Sequence, residues 1–218
     1  MPRHSRKRDK ALTRTRLVWG SLVLSMSIVG GALAMLVDDA GTGRGGLTLS
    51  PLVSISRDAF ESIFETDVPI EPGRWDSIVI THSATPYGTP ASLDARQRQA
   101  SQQGLGHHFV IGNGSGMSAG EIHVGYRWLE QLPAALVFAH GQGADANRAL
   151  SICLVGDGNR QRFDALQVQR LAQLVAELAR RCEIPESRVY LHSDVAGTSS
   201  PGRYFPEAQF RELLAGLR

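Results

Sequence analysis

Residues 17–37 (LVWGSLVLSMSIVGGALAMLV) form a run of 21 residues without a charged side chain, and this run limits what the amino-terminal part of the chain can become. As a helix it would be about 30 Å long, which matches the hydrocarbon core of a membrane. The 16 residues before it carry seven Lys or Arg and one Asp, whereas Asp38 and Asp39 follow it. Because positive charge stays on the cytoplasmic side, the pattern predicts a basic cytoplasmic tail over 1–16 and a single transmembrane anchor over 17–37.

A cleavable signal peptide is the alternative interpretation of this run, because Ala32, Leu33 and Ala34 resemble a small-x-small cleavage site. The charged lead and the apolar run are both long for a signal peptide, which favours an uncleaved anchor. In both cases the rest of the chain is exported. We therefore predict a single-pass protein of a bacterial inner (cytoplasmic) membrane whose body faces the periplasm or the cell exterior.

The charge balance of the remaining 202 residues differs from that of the tail. They carry 16 Lys or Arg against 20 Asp or Glu, so the formal charge of +2 for the whole chain comes from the tail. An acidic body of this kind is not suited to phosphate backbones, and we expect no nucleic acid among its partners. With 42% hydrophobic and 20% charged residues, the composition is that of a globular protein.

Apolar patterning divides the exported part into an extracytoplasmic linker over 38–75 and one domain over 76–218. Within the linker, Arg57 to Phe64 is amphipathic and predicts a brief helix that docks on the domain. The domain alternates short apolar runs with helical periodicity, which predicts an α/β fold with a mixed central β-sheet flanked by helices. The predicted strands are Ser77–Thr81, His108–Ile111 with its hairpin partner Glu121–Tyr126, Leu150–Val155 and Arg188–Leu191; the predicted helices are Ser92–Gln103 with Ser92 as N-cap, one that begins after Asp164, and Pro206–Leu217.

Two histidines directly follow predicted strands. His82 comes after the run Ile78–Thr81, and His192 comes after Val189–Leu191. Because the carboxyl ends of parallel strands share one edge of a sheet, these two side chains can meet there although they are remote in sequence. A catalytic zinc needs about three protein ligands and an open position for water. The spacing alone does not decide for a metal, since the chain has neither a His-Glu-x-x-His nor a Cys-x-x-Cys motif.

The chain has two cysteines, Cys153 and Cys182. Cys153 lies in an apolar run and is typical of a buried small hydrophobic residue. An exported protein can form a disulfide, so the sequence leaves open whether the two thiols are paired or free.

Short segments in a fixed order give the body a resemblance to a known family. They are IVITHSAT (78–85), HHFVIGN (107–113) with GEIHVG (120–125), AHGQG (139–143), SICLVG (151–156) and LHSDVAGTSSPG (191–202). Together they resemble the zinc-dependent N-acetylmuramoyl-L-alanine amidases, a family that includes phage lysozyme-type amidases and peptidoglycan recognition proteins. The resemblance covers about 69–205 and implies a peptidoglycan or muropeptide ligand.

The resemblance also implies roles for particular residues. The zinc ligands would be His82, His192 and the residue at position 200, where phage-type members have Cys and this chain has Ser200. The active-site positions of the family fall on His107, which replaces a Tyr, and on Thr198. The loops that line the substrate groove of the family correspond to His140, Asp157 and Asn159.

A serine hydroxyl is a poor zinc ligand beside a thiolate or a carboxylate, so Ser200 leaves three interpretations open. In the first, zinc is held by His82, His192 and a substitute ligand, His107 or Asp194, and the protein hydrolyses the amide between N-acetylmuramic acid and L-alanine. His107 could instead act as a general base, since an imidazole titrates near neutral pH. In the second, the cleft binds muropeptide without catalysis, either for recognition or as a scaffold that holds the cell wall. In the third, Ser200 and His192 form a hydrolytic pair, which their spacing disfavours.

The leading hypothesis from the sequence is therefore a membrane-anchored, zinc-dependent peptidoglycan amidase. The alternative is a non-catalytic peptidoglycan-binding protein of the same fold, in which Ser200 replaces the third zinc ligand.

Overall fold

The computed structural model describes residues 60–100, 103–136 and 143–217. The predicted tail, the predicted anchor and most of the predicted linker lie outside these residues, so those assignments stay predictions. Among the helices in the described ranges, none is long and apolar enough to span a bilayer.

Five strands form one mixed β-sheet. They are β1 (Ser77–His82), β2 (Phe109–Ile111), β3 (Ile122–Val124), β4 (Ala149–Leu154) and β5 (Val189–Leu191). Their order across the sheet is β3-β2-β4-β1-β5, with β2 and β3 antiparallel and all other neighbours parallel. β4 is buried along its whole length, as expected for a central strand covered on both faces. The predicted α/β fold with a mixed central sheet is confirmed.

Five helices accompany the sheet in the described residues, and two of them, the second and the fourth, are single turns. They are α1 (Pro90–Gln99), α2 (Tyr126–Leu129), α3 (Ala165–Arg181), α4 (His192–Val195) and α5 (Glu207–Ala215), with 3₁₀ turns at Ser62–Phe64 and Glu186–Arg188. The Asp164 side chain accepts hydrogen bonds from the first turn of α3, so the predicted start of this helix is confirmed. The predicted hairpin strand ends early, because Tyr126 begins α2.

The predicted N-cap of α1 is wrong. Thr89 caps this helix, with Pro90 at its first position. Ser92 occupies the third helical position, where its hydroxyl accepts a hydrogen bond from the Thr89 N–H at 2.8 Å while its own N–H donates to the Thr89 hydroxyl at 3.0 Å. Ser92 is therefore the reciprocal partner in a capping box rather than the cap itself.

The two faces of the sheet pack against different layers. On one face the alternate residues Ile78 and Ile80 of β1 join a large apolar cluster with α3 and α5. On the other face Val110 and Cys153 pack with Leu93 of α1. The central strands are thus covered on both sides, and their carboxyl ends open at one edge.

Both cysteines are free thiols in this structure, which excludes a bond between Cys153 and Cys182 here. Burial raises the pKa of Cys153 to about 12 and that of Cys182 to about 11. Both side chains are therefore protonated and unreactive at neutral pH.

Candidate functional site

The register of two parallel strands brings His82 and His192 to the same edge of the sheet. In β1 and β5, Ile80 pairs with Leu191, so His82 ends one strand while His192 follows the other. Burial lowers the pKa of His82, and the neighbouring His192 lowers it further. The charge of Asp157 and the Pro201 carbonyl oppose this shift. The two imidazoles are thus close enough to interact electrostatically at the carboxyl edge.

The backbone fixes the ring of His82. The N–H of Gly158 donates to Nδ1 of His82 at 3.0 Å, so this nitrogen accepts a hydrogen bond and does not carry the proton.

Two loops meet backbone to backbone beside His82. A Cβ atom at Gly158 would lie 1.9 Å from the carbonyl oxygen of Pro201. A Cβ atom at Gly202, whose φ is +104°, would lie 2.2 Å from the carbonyl carbon of Gly158. The Tyr204 N–H adds a 2.8 Å hydrogen bond to the Gly158 carbonyl. Only glycine at positions 158 and 202 allows the two backbones to come this close, so the loop after β4 packs directly against residues 200–202.

Ser200 lies beside His82, as the proposed ligand set requires, but its hydroxyl bonds to β1. The hydroxyl accepts from the N–H of His82 at 3.0 Å and shares a hydrogen bond of 2.8 Å with the Thr81 hydroxyl. Ser200 is only 5% exposed. The hydroxyl therefore joins residue 200 to the end of β1.

The donor set of the described residues does not fit a resident zinc ion. Within the ranges that the structure describes, no three His, Cys, Asp or Glu side chains converge so that they could hold a metal. The Oδ2 atom of Asp194 accepts from the N–H of Leu191 at 2.8 Å, which directs this carboxylate to the start of α4. Two imidazoles and an engaged hydroxyl lack the third anionic or imidazole ligand that zinc requires.

His107 is a buried, neutral imidazole whose two nitrogens are both bonded. Because the Gln97 amide nitrogen can only donate, Nε2 of His107 accepts from it at 3.1 Å, and Nδ1 then donates to the Ser151 hydroxyl at 2.9 Å. Burial, together with the charges of His192 and Arg127, lowers the pKa of His107 to about 4. The expectation that this ring titrates near neutral pH is not met.

His108 extends the same buried network as a structural residue. Its Nδ1 accepts from the N–H of Ser151 at 2.9 Å, and its Nε2 donates to the Leu132 carbonyl at 2.9 Å. The ring meets Trp75 edge to face, with 4.7 Å between centroids. Burial lowers the pKa of His108 to about 3, so it packs as a neutral ring.

The other predicted site residues hold the two loops in place. Asp157 accepts from the N–H of Asn159 at 3.0 Å, and the Asn159 amide donates to the hydroxyl of Ser199 at 2.9 Å. Thr198 is exposed, and its hydroxyl accepts from the N–H of Ser200 at 3.2 Å. His140 lies outside the described residues. The three described residues therefore border the edge that carries His82, and their roles toward a ligand stay predictions.

The sequence analysis did not identify several residues that lie in the loops near this edge. The most exposed of them are Tyr87, in the loop after β1, and Tyr204, after residues 200–202, with exposed fractions of 57% and 40%. Tyrosines next to Pro86 and Arg203, within loops rich in Gly and Pro, were a signal that could have indicated a contact surface. Thr81 and Gly158 gave no such signal, because their roles depend on loops remote in sequence.

The fold and this edge define a class, an α/β domain with two histidines at adjacent strand ends. The model of the N-acetylmuramoyl-L-alanine amidase family matches residues 71–203, and the chain therefore belongs to that family. The predicted family membership is confirmed. No curated protein matches the chain.

Solved structures with a similar fold include two amidases from Clostridium intestinale URNW. The N-acetylmuramoyl-L-alanine amidase LysC is 24% identical, with a TM-score of 0.52 over 69% of this chain and 96% of that chain. The endolysin LysCS gives the same identity, TM-score and share of this chain, and 94% of its own chain is covered. Drosophila peptidoglycan recognition protein SA is 20% identical over 64% of this chain and 78% of that chain, with a TM-score of 0.48. At this identity the two amidases show a shared fold.

Proposed function

We propose that this protein binds peptidoglycan fragments at the carboxyl edge of its sheet and does not hydrolyse them through a metal. The observation that carries this proposal is the hydroxyl of Ser200, which bonds to the His82 N–H and to Thr81 at the position where the family resemblance implies a zinc ligand. Family membership supports peptidoglycan as the ligand class. The proposed function is therefore recognition of peptidoglycan fragments at this edge.

The edge offers chemistry suited to a muropeptide. Such a ligand presents amides, hydroxyls and carboxylates, which need both donors and acceptors from the protein. The half-buried imidazole of His82 and the exposed hydroxyl of Thr198 supply polar contacts. The exposed rings of Tyr87 and Tyr204 supply flat apolar surfaces.

Cosedimentation of the full-length protein with purified peptidoglycan tests binding. Mass spectrometry of the supernatant from the same experiment detects any released stem peptide. We expect binding without release of peptides that begin with a free L-alanine amine. His82→Ala and His192→Ala should weaken binding, because both residues lie at the proposed edge. His123→Ala is the matched control, since His123 lies on β3 at the far side of the sheet and should bind as the parent does. Release of stem peptides, or equal binding by all variants, would overturn the proposal.

Metal-dependent hydrolysis is the second candidate function. The observation that favours it is the placement of His82 and His192 at the ends of adjacent parallel strands in a chain of the amidase family. It would need a third ligand from outside the described residues or a rearrangement of Ser200. Peptide release that a chelator abolishes would support this candidate.

We also propose that residues 17–37 anchor the protein in the bacterial inner membrane, with 1–16 in the cytoplasm and the body outside. The charge-free run and the seven basic residues before it support this arrangement. A spanning helix resists extraction at alkaline pH, so the full-length chain should stay in the membrane pellet after a carbonate wash. Recovery of the whole chain in the soluble fraction would contradict the anchor.

A further inference from the structure

An apolar groove opens at the end of the sheet opposite to His82 and His192. It has a volume of about 550 Å³ and lies between α3, α5 and the first residue of β5. Its apolar lining includes Phe60, Ala176, Ile184, Val189, Leu214 and Leu217. Leu217 is 47% exposed, so the groove presents apolar surface outward. Apolar concavities of this kind mark contact sites. We call it the α3–α5 groove.

The chain enters the described domain at this groove. Phe60, the first described residue, lines the groove and is 8% exposed. The next residue, Glu61, forms an ion pair with Arg181 at the end of α3. Ile63 is fully buried, and Phe64 meets Trp128 edge to face. The described part of the chain therefore begins at the groove wall.

The nine residues before Phe60 have the composition of an occupant. Residues 51–59 read PLVSISRDA and bring three aliphatic side chains, Leu52, Val53 and Ile55. Residues 51–56, which precede the predicted helix, reach about 20 Å when extended, and this is ample for a groove that starts at the end of the segment. The segment carries charges of both signs, and so does the groove wall at Glu177 and Arg180. Covalent attachment gives such a segment a high effective concentration at the groove.

We propose that residues 51–59 dock in the α3–α5 groove and cover its apolar lining. In this arrangement the carboxyl-terminal part of the linker packs against α3 and α5, and only the part before residue 51 is not attached to the domain. This inference does not depend on peptidoglycan binding or on a metal.

Thiol labelling of the full-length protein in detergent tests the docking. Leu217→Cys places a reporter thiol on the groove, and peptide mapping separates its label from Cys153 and Cys182. Adding Val53→Asp and Ile55→Asp should expel the segment and raise the maleimide labelling rate of the reporter several-fold. Adding Ser54→Asp and Ser56→Asp places the same charges on neighbouring polar positions and should leave the rate unchanged.

Two outcomes would overturn the docking. The first is an equal labelling rate in the parent reporter, the Val53/Ile55 variant and the Ser54/Ser56 variant. The second is a rate that depends on protein concentration, which would make a second copy of the chain the occupant. A further reporter, Leu132→Cys, lies on an exposed loop away from the groove, and it should label equally in every background unless a variant unfolds.

Discussion

At the scale of single residues, the identity of residue 200 decides what the edge of the sheet can do. A thiolate at this place would complete two imidazoles as a zinc ligand set, whereas a hydroxyl prefers hydrogen bonds to the backbone and to Thr81. Ser200 makes those bonds and is almost fully buried. Removing its hydroxyl would take away the acceptor of the His82 N–H, a part-buried hydrogen bond worth about 0.5–1.5 kcal/mol.

Gly158 provides a residue-scale prediction about the loop contact that holds His82. In Gly158→Ala the new Cβ would sit 1.9 Å from the Pro201 carbonyl oxygen, so the two loops must separate. We expect the free energy of unfolding to fall by roughly 3 kcal/mol, at the upper end of single-residue effects. Urea denaturation monitored by circular dichroism measures this change.

Gly197→Ala is the matched control, because nothing lies within 4 Å of a Cβ at that position. An alanine there restricts the unfolded chain and should change stability by less than about 1 kcal/mol. Equal midpoints for the Gly158 and Gly197 variants would show that the contact between the loops does not stabilise the protein.

At the scale of elements, the sequence predicted those parts that depend on local pattern. β1 and β4 were recognisable as apolar runs, and α3 as an amphipathic helix capped by Asp164. The N-cap of α1 was misplaced although Thr89-Pro90 before Ser92 carried the signal, since Pro favours the first helical position. The strand partner of β2 was predicted too long, because the turn at Gly125 starts α2.

The position of the candidate site could be predicted from the order of strands in the sequence, but the hydrogen bonds within it could not. Strand ends predicted that His82 and His192 would share an edge. The bond from Ser200 to Thr81 joins residues 119 positions apart, and no local pattern indicates it. The hydrogen bonds of His107 likewise join residues remote in sequence, since Gln97 lies on α1 and Ser151 on β4.

At the scale of the whole molecule, the domain has two surfaces at opposite ends of its sheet. The carboxyl edge carries the histidines and the paired loops, and the amino end of β5 borders the α3–α5 groove. If residues 51–59 occupy that groove, the tether leaves the domain away from the proposed ligand edge.

The most direct test of the proposal that this edge binds its ligand without a metal is an affinity measurement. The Kd of the full-length protein for a soluble muropeptide is measured before and after exhaustive chelation of divalent metals. Ser200→Cys serves as the positive control for metal uptake, because a thiolate beside two imidazoles forms a zinc ligand set. We predict that chelation leaves the Kd of the parent unchanged. Loss of binding on chelation, with recovery when zinc is returned, would contradict this account.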